Sequence, residues 1–251
     1  MDKPLTKGVP LVGDPFTAGL PTTVGAPDSF DKTKVRLILA AETLFAEQSI
    51  ENVSLREIAR AADNGNNNAV QYHFGGKDGL IQAIFAYRVW QMDEQRRVGL
   101  DKLLSLNGEP DLRALLELLF LPLLALTNDS GRHAYAGFVG KYLLLNRPTG
   151  QPHAMDSLTE FTVALRQIDS LIERYLAHLP ADLAINRLAL AYLMFVNMLV
   201  RSDNDGISAL GGEPFRQRIT DCLELAVAAL LAPAPSAELF PVSTNGTDLR
   251  L

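Results

Sequence analysis

The sequence predicts an all-α fold in which three N-terminal helices lead into a long fourth and then into a bundle of further helices. Three observations predict it. Apolar residues recur at i, i+3, i+4 and i+7, the spacing that places them on one face of a helix. No stretch alternates apolar and polar side chains over the length of a strand. Clusters of Gly, Pro, Asn and Asp interrupt the helical pattern at 108–110, 128–131, 147–152, 179–180 and 203–212.

The first helix is expected at about 32–48, with Ile38, Ala41, Leu44 and Phe45 on one face. The second starts at Ser54, where Ser54-Leu55-Arg56-Glu57 has the form of a capping box. In that device the Ser hydroxyl and the Glu carboxylate satisfy free backbone donors reciprocally. Leu55, Ile58, Ala59 and Ala62 then mark one buried face. A turn follows at 63–67, rich in Asn and Gly, which tolerate a left-handed backbone. The third helix is short, about 68–74, and Gly75-Gly76 ends it. The fourth runs from Lys77 to about 104, with Leu80, Ile81, Ile84 and Phe85 facing inward. Later helices are expected at about 111–127, 132–146, 154–178, 182–202 and 213–231. Residues 1–30 and 232–251 lack a helical period and are rich in Pro, Gly, Ser and Thr, so both read as disordered tails.

Composition narrows the function. The chain has 251 residues, 47% of them hydrophobic, enough for a large buried core. Its net charge is −6, which by itself gives no support to a nucleic-acid partner. The charge is uneven, however: residues 31–102 sum to zero, whereas residues 103–251 sum to −5. The single cysteine, Cys222, excludes an internal disulfide and reads as a small buried apolar residue. His133, His153 and His178 are scattered without partners at ligand spacing, so no metal and no cofactor is expected. No phosphate loop, strand-linked Gly-rich fingerprint, nucleophile elbow or zinc-protease signature occurs, so an enzyme is not expected. The apolar runs at 114–126 and 188–200 fall short of the ~18 residues a membrane span needs. No export signal is visible at the N-terminus, and a cytoplasmic location is expected.

Two short helices joined by a Gly-containing turn, after a longer packing helix, form a helix-turn-helix. The second of them is expected in the DNA major groove. Its Asn and Gln amides suit adenine edges, which demand a donor and an acceptor together. Donors such as Lys, His and Tyr suit phosphates. The pair Arg96-Arg97 reads as a solvated helix face.

This region resembles the N-terminal domain of the TetR repressors. The resemblance is carried by Ala41, Leu44 and Phe45; by Ser54, Ile58, Ala59 and Ala62; and above all by Tyr72-His73-Phe74-Gly75-Gly76-Lys77 with Leu80. It covers about a fifth of the chain and implies a DNA-binding domain at 31–85 followed by a ligand-binding and dimerisation domain at 86–231. It places Ser54 and Arg56 where the second helix meets DNA. It aligns Asn67, Ala69 and Gln71 with the groove-facing side, Tyr72 and His73 with the DNA backbone, and Lys77 with a phosphate. The chain departs from the family pattern in the turn, where the glycine is shifted by one. Asn66, Asn67 and Asn68 replace the usual Ser or Thr at the start of helix three, and any of the three can be its N-cap.

The implied function is a dimeric transcriptional regulator, a repressor released from a palindromic operator by a small organic effector. The alternative is a helical interaction protein of the same fold that has lost DNA binding. The helices at 182–202 and 213–231 are expected to join two copies, since 188–200 is apolar nearly all round. Candidate effector contacts are Phe120, Arg132, His133, Tyr135, Phe138, Tyr142, Phe161, Met194 and Asn197, an apolar set with a few polar groups. For each of these, ordinary core packing is the competing role. The fourth helix is the expected lever between the two sites, with the sign of the coupling open.

Overall fold

The computed structural model describes residues 30–106, 108–146 and 162–235. Among these residues every regular element is a helix and there is no strand. The helices are α1 (Lys32–Glu47), α2 (Leu55–Ala61), α3 (Ala69–Phe74), α4 (Lys77–Ser105), α5 (Leu112–Phe120), α6 (Ala134–Lys141), α7 (Val163–Leu176), α8 (Ala181–Asn204), α9 (Ile207–Leu210) and α10 (Glu213–Leu231). The fold is an N-terminal helix-turn-helix unit followed by a helical C-terminal part, as the sequence predicts.

Local chemistry explains the boundaries. Asp31 caps α1, its carboxylate accepting from Thr33 N at 2.8 Å and Lys34 N at 2.9 Å. Ser54 caps α2 through a bond from Glu57 N at 3.1 Å. The reciprocal arm of the expected capping box is not made. The Glu57 carboxylate instead accepts from Gln48 Nε2 at 3.2 Å, tying α2 to the end of α1. The helix expected at 111–127 ends at Phe120 and continues as a 3-10 turn over Leu121–Ala125. Pro122 lacks an N–H and starts this tighter winding. Likewise α6 passes into a π turn at Tyr142–Asn146. The described part of the helix expected at 154–178 is Val163–Leu176.

A continuous buried cluster runs from Phe30 to Leu230, so the two parts share one core. Its bridge is aromatic. Phe45 of α1 lies 5.8 Å from Phe138 of α6, and Phe138 lies 5.2 Å from Phe85 of α4, centroid to centroid. The described residues include the inner edge of each expected tail. Phe30 is buried, its ring 5.3 Å from that of Tyr87, because an aromatic side chain gains more by packing than a polar tail would. At the other end, Arg187 Nη2 donates to Pro233 O at 2.8 Å and holds the chain beyond α10. The remainder of both predicted tails lies outside the described residues.

By length and composition α8 is apolar enough to cross a bilayer, because the apolar pattern extends N-terminally beyond the 188–200 run. One side of α8 packs on α6 and α10. The expectation that this helix is covered on every side is not met within one chain: Leu190 and Asn197 are exposed.

Candidate nucleic-acid interface and effector cavity

The recognition unit is built from α2, α3 and the turn between them. The left-handed residue of this turn is Asp63, at φ 50°, rather than Gly65. Two asparagine side chains then wind the chain into α3. Asn64 Oδ1 accepts from Asn66 N and Asn66 Oδ1 accepts from Asn68 N, each at 2.9 Å. Asn68 occupies the N-cap position without a side-chain cap bond. At the other end Gly75, at φ 73°, closes the helix through its N–H to Gln71 O.

This winding decides which side chains face outward. Asn67, Asn68, Gln71 and Tyr72 are exposed, Tyr72 at 81%. They fall at i, i+1, i+4 and i+5 and share one face. Ala69 does not belong to it. The resemblance placed Ala69 toward the groove, but it is 2% exposed and packs inward beside Val70. These two residues, with half-buried Phe74, form the apolar side on which the helix sits. Asn66 is exposed in the turn, and His73 is half-buried, its ring 5.0 Å from that of Tyr72. Ser54 and Arg56 are exposed on α2.

Arg60 is an addition. It is exposed one turn after Arg56, and both line a surface hollow of about 490 Å³ that reaches Asn67. Its i+4 spacing from Arg56 was the available signal. Two expected contacts are engaged internally. Gln71 Nε2 donates to Gly75 O at 3.2 Å. Lys77 Nζ donates to Ile50 O at 2.7 Å and Glu51 O at 3.0 Å, clamping the α1–α2 loop to the start of α4. An ammonium has three donors, so one remains for an outside acceptor.

Residues 37–84 match the family model described as bacterial regulatory proteins, tetR family. These residues are similar to the helix-turn-helix domain of that family. The crystal structure of a protein named as a tetR family transcription regulator, from Shewanella sp. PV-4, has the same overall fold. Its TM-score is 0.52 at 18% sequence identity, covering 80% of this chain and 97% of that one. No curated protein matches the chain.

Behind the helix-turn-helix domain lies a cavity of about 350 Å³. Phe85, Val89, Met92 and Arg96 line it from α4, Tyr135 and Val139 from α6, Leu165 and Asp169 from α7, and Leu188 and Tyr192 from α8. Of the candidate effector contacts, only Tyr135 lines it. Phe120 and Phe138 are fully buried core, Phe120 stacked on Phe195 at 5.1 Å, because large rings fill helix interfaces before they line a space. Tyr142 packs on Phe85 at 5.1 Å and Met194 is half-buried against the core. Asn197 is exposed, its amide donating to Leu193 O at 2.8 Å. Phe161 lies outside the described residues.

Arg132 and His133 border a different hollow, of about 450 Å³, between α1, α6 and α8. Arg132 Nη2 bonds Asn204 Oδ1 at 2.5 Å. His133 is tied to Asp203 twice, through its backbone N to Oδ2 at 2.7 Å and through Nδ1 to Oδ1 at 2.8 Å. Ser208 Oγ donates to the same carboxylate at 2.6 Å. Burial pushes the Asp203 carboxyl up, but the bonds from His133 and Ser208 outweigh it and hold it below the usual value. His133 therefore fastens α6 to α8.

Arg96 is the main correction at this site. The sequence reading set it with Arg97 on a solvated face. Arg97 is half-exposed and pairs with Glu94 at 2.7 Å and Asp101 at 3.1 Å. Arg96, one residue earlier and so about 100° around the helix, is 2% exposed inside the cavity. A charged residue amid polar neighbours gives no sequence signal of this kind. Only the packing of α5 and α7 against α4 reveals it.

Proposed function

We propose that this protein is a ligand-responsive transcriptional regulator that binds a palindromic operator as a dimer, and that it is a repressor released by a small organic effector. The observation that carries the reading is the outward polar face of α3, with Asn67, Asn68, Gln71 and Tyr72 exposed beside Arg56 and Arg60 of α2 in a tetR-family domain. Amides can read base edges, while guanidinium groups meet phosphates.

Dimerisation is supported by the uncovered sides of α8 and α10. Leu190 is 63% exposed and Leu225 is 52% exposed. A second copy would bury them and set two recognition helices one DNA turn apart, about 34–36 Å. Asn197 lies on the same stripe of α8 as Leu190 and fits this surface, not the cavity.

Coupling has two routes. The lever expected from the sequence, α4, runs about 43 Å from the base of α3 past the cavity. The second is α6. Tyr135 and Val139 face the cavity, while Lys141 Nζ donates to Ala46 O at 2.6 Å and Gln48 O at 3.1 Å at the end of α1. Gly137 sits so close to α1 that an added Cβ would stand 3.0 Å from that of Ala46. An effector shifts DNA affinity only by binding one arrangement of these helices better than the other.

The test is a gel-shift with DNA flanking the protein's own gene. Retardation of that DNA in excess random competitor is expected. Binding no stronger than to random DNA would replace this reading with an interaction protein of the same fold, which the zero net charge of residues 31–102 already suits.

A further inference from the structure

Two arginines of α4 are buried, and their surroundings differ. Each nitrogen of Arg88 has a partner: Nε and Nη2 donate to the Glu42 carboxylate and Nη1 to Gln91 Oε1 at 2.7 Å. Arg96, two turns on, is not. Its Nη2 donates to Leu119 O at 2.9 Å and sits 3.6 Å from Met92 Sδ, while Nε and Nη1 are buried without a partner among the described residues. Asp169 of the cavity and Asp93 of α4 attract Arg96 electrostatically, but neither carboxylate accepts a hydrogen bond from it among the described residues. A buried guanidinium left with unmade hydrogen bonds is costly, so its retention calls for a partner that arrives from outside.

The rest of the lining defines that partner. The cavity is apolar around Arg96, with Val89, Leu165 and Leu188, and two tyrosines, Tyr135 and Tyr192, stand beside the guanidinium. We propose that the effector is an amphipathic carboxylate, its head group accepting from Arg96 Nε and Nη1 and its apolar body filling the space between α4, α7 and α8. This rests on reading the cavity as the effector site and adds the chemical class. A carboxylate supplies the acceptors that the free N–H groups lack, and the Tyr192 hydroxyl, which accepts from Tyr135, offers it a further donor. A neutral ligand would accept these bonds more weakly, and a cationic one would add to the positive charge.

The experiment is calorimetric titration of the full chain with straight-chain carboxylates from hexanoate to dodecanoate, and with alcohols and amines of equal length. A carboxylate should bind about tenfold or more tightly than its alcohol, the margin a charge-assisted hydrogen bond provides. Arg96→Met should remove that preference and raise the melting temperature of the ligand-free protein, since it deletes an unpaired buried charge. Arg96→Gln, which keeps two polar donors, serves as a second variant should the first not fold, and it too should lose the preference. Equal affinity for alcohol and carboxylate, a preference that survives in either variant, binding of none of these probes, or tighter binding of the amine would each overturn the proposal. Gel-shifts run alongside separate it from the regulator reading. Arg96-dependent carboxylate binding without any change in DNA affinity leaves the ligand class standing and sinks the effector role. Release from DNA by neutral compounds alone does the reverse.

Discussion

Arg88 of α4 and Glu42 of α1 form a buried two-point ion pair, with Nη2–Oε1 at 2.6 Å and Nε–Oε2 at 2.7 Å, and their side chains are 6% and 1% exposed. Gln91 and Tyr87 complete the network through a bond of 3.2 Å. The pair joins the first helix of the DNA-binding domain to the long helix that lines the cavity, across an otherwise apolar core.

Removing one partner leaves the other charge buried and unmatched. Glu42→Ala is expected to cost about 3–5 kcal/mol of folding stability. Glu42→Leu with Arg88→Met, which removes both charges and keeps the volume, should recover most of that loss. Urea unfolding of the single and double variants checks it. A loss under about 1 kcal/mol in Glu42→Ala would mean that water reaches the pair, since exposed ion pairs are worth no more than that.

Asp169 supplies a pH dependence. Burial pushes its carboxyl up from 3.8 to about 6, against the attraction of Arg96 on α4 and Arg166, with Glu173 adding to the rise. A raised value means that the folded state binds the proton more tightly than the unfolded state. Its contribution is therefore full below about pH 4 and is lost as pH rises through about 6. Asp169→Asn should stabilise the protein by about 2 kcal/mol at pH 7.5 and leave it unchanged at pH 4. Melting temperatures across this range decide the matter, and an equal shift at both ends would assign the effect to packing instead.

The helix order and the recognition unit were legible because they rest on local signals. The apolar spacing of α2 and the Gly75-Gly76 stop act within a few residues, and the structure repeats them. Ala69 was misplaced because alignment to a family pattern assigns a side without counting the angle. With α3 starting at Ala69, that residue and Val70 turn inward while Gln71 and Tyr72 turn out. The cavity was not legible. Its walls come from five helices, α4 to α8, and its chemistry depends on Arg96 and Asp169 leaving solvent, a property of tertiary packing. Phe120, Phe138 and Tyr142, which looked like ligand contacts, became core for the same reason.

Lys77 is expected to serve two roles with separable signatures. Two of its three donors hold Ile50 O and Glu51 O. Lys77→Ala should therefore lower stability by about 1.5–3 kcal/mol, the range for hydrogen bonds from a charged group. If the third donor meets a phosphate, the same variant weakens binding to all DNA sequences alike and reduces the salt slope by about one. Fluorescence anisotropy at several salt concentrations reads the slope. An unchanged slope with lowered stability would confine Lys77 to the loop clamp.

Gln71 tests whether α3 reads bases at all. Its side chain is exposed, and its amide nitrogen rests on Gly75 O at 3.2 Å, near the long end of hydrogen-bond length. That contact is local and easily exchanged for an adenine edge, which offers both a donor and an acceptor to a glutamine amide. Gln71→Ala should then cost about 1–3 kcal/mol at the operator and much less on random DNA. Tyr72→Phe should behave differently. The Tyr72 hydroxyl is expected to meet the DNA backbone, so its loss should weaken both kinds of DNA to the same degree. Competition titrations with operator and random duplexes give the two ratios. Equal losses on both duplexes for Gln71→Ala would show that Gln71 does not read sequence, and specificity would pass to Asn67 and Asn68, the other exposed amides on this face.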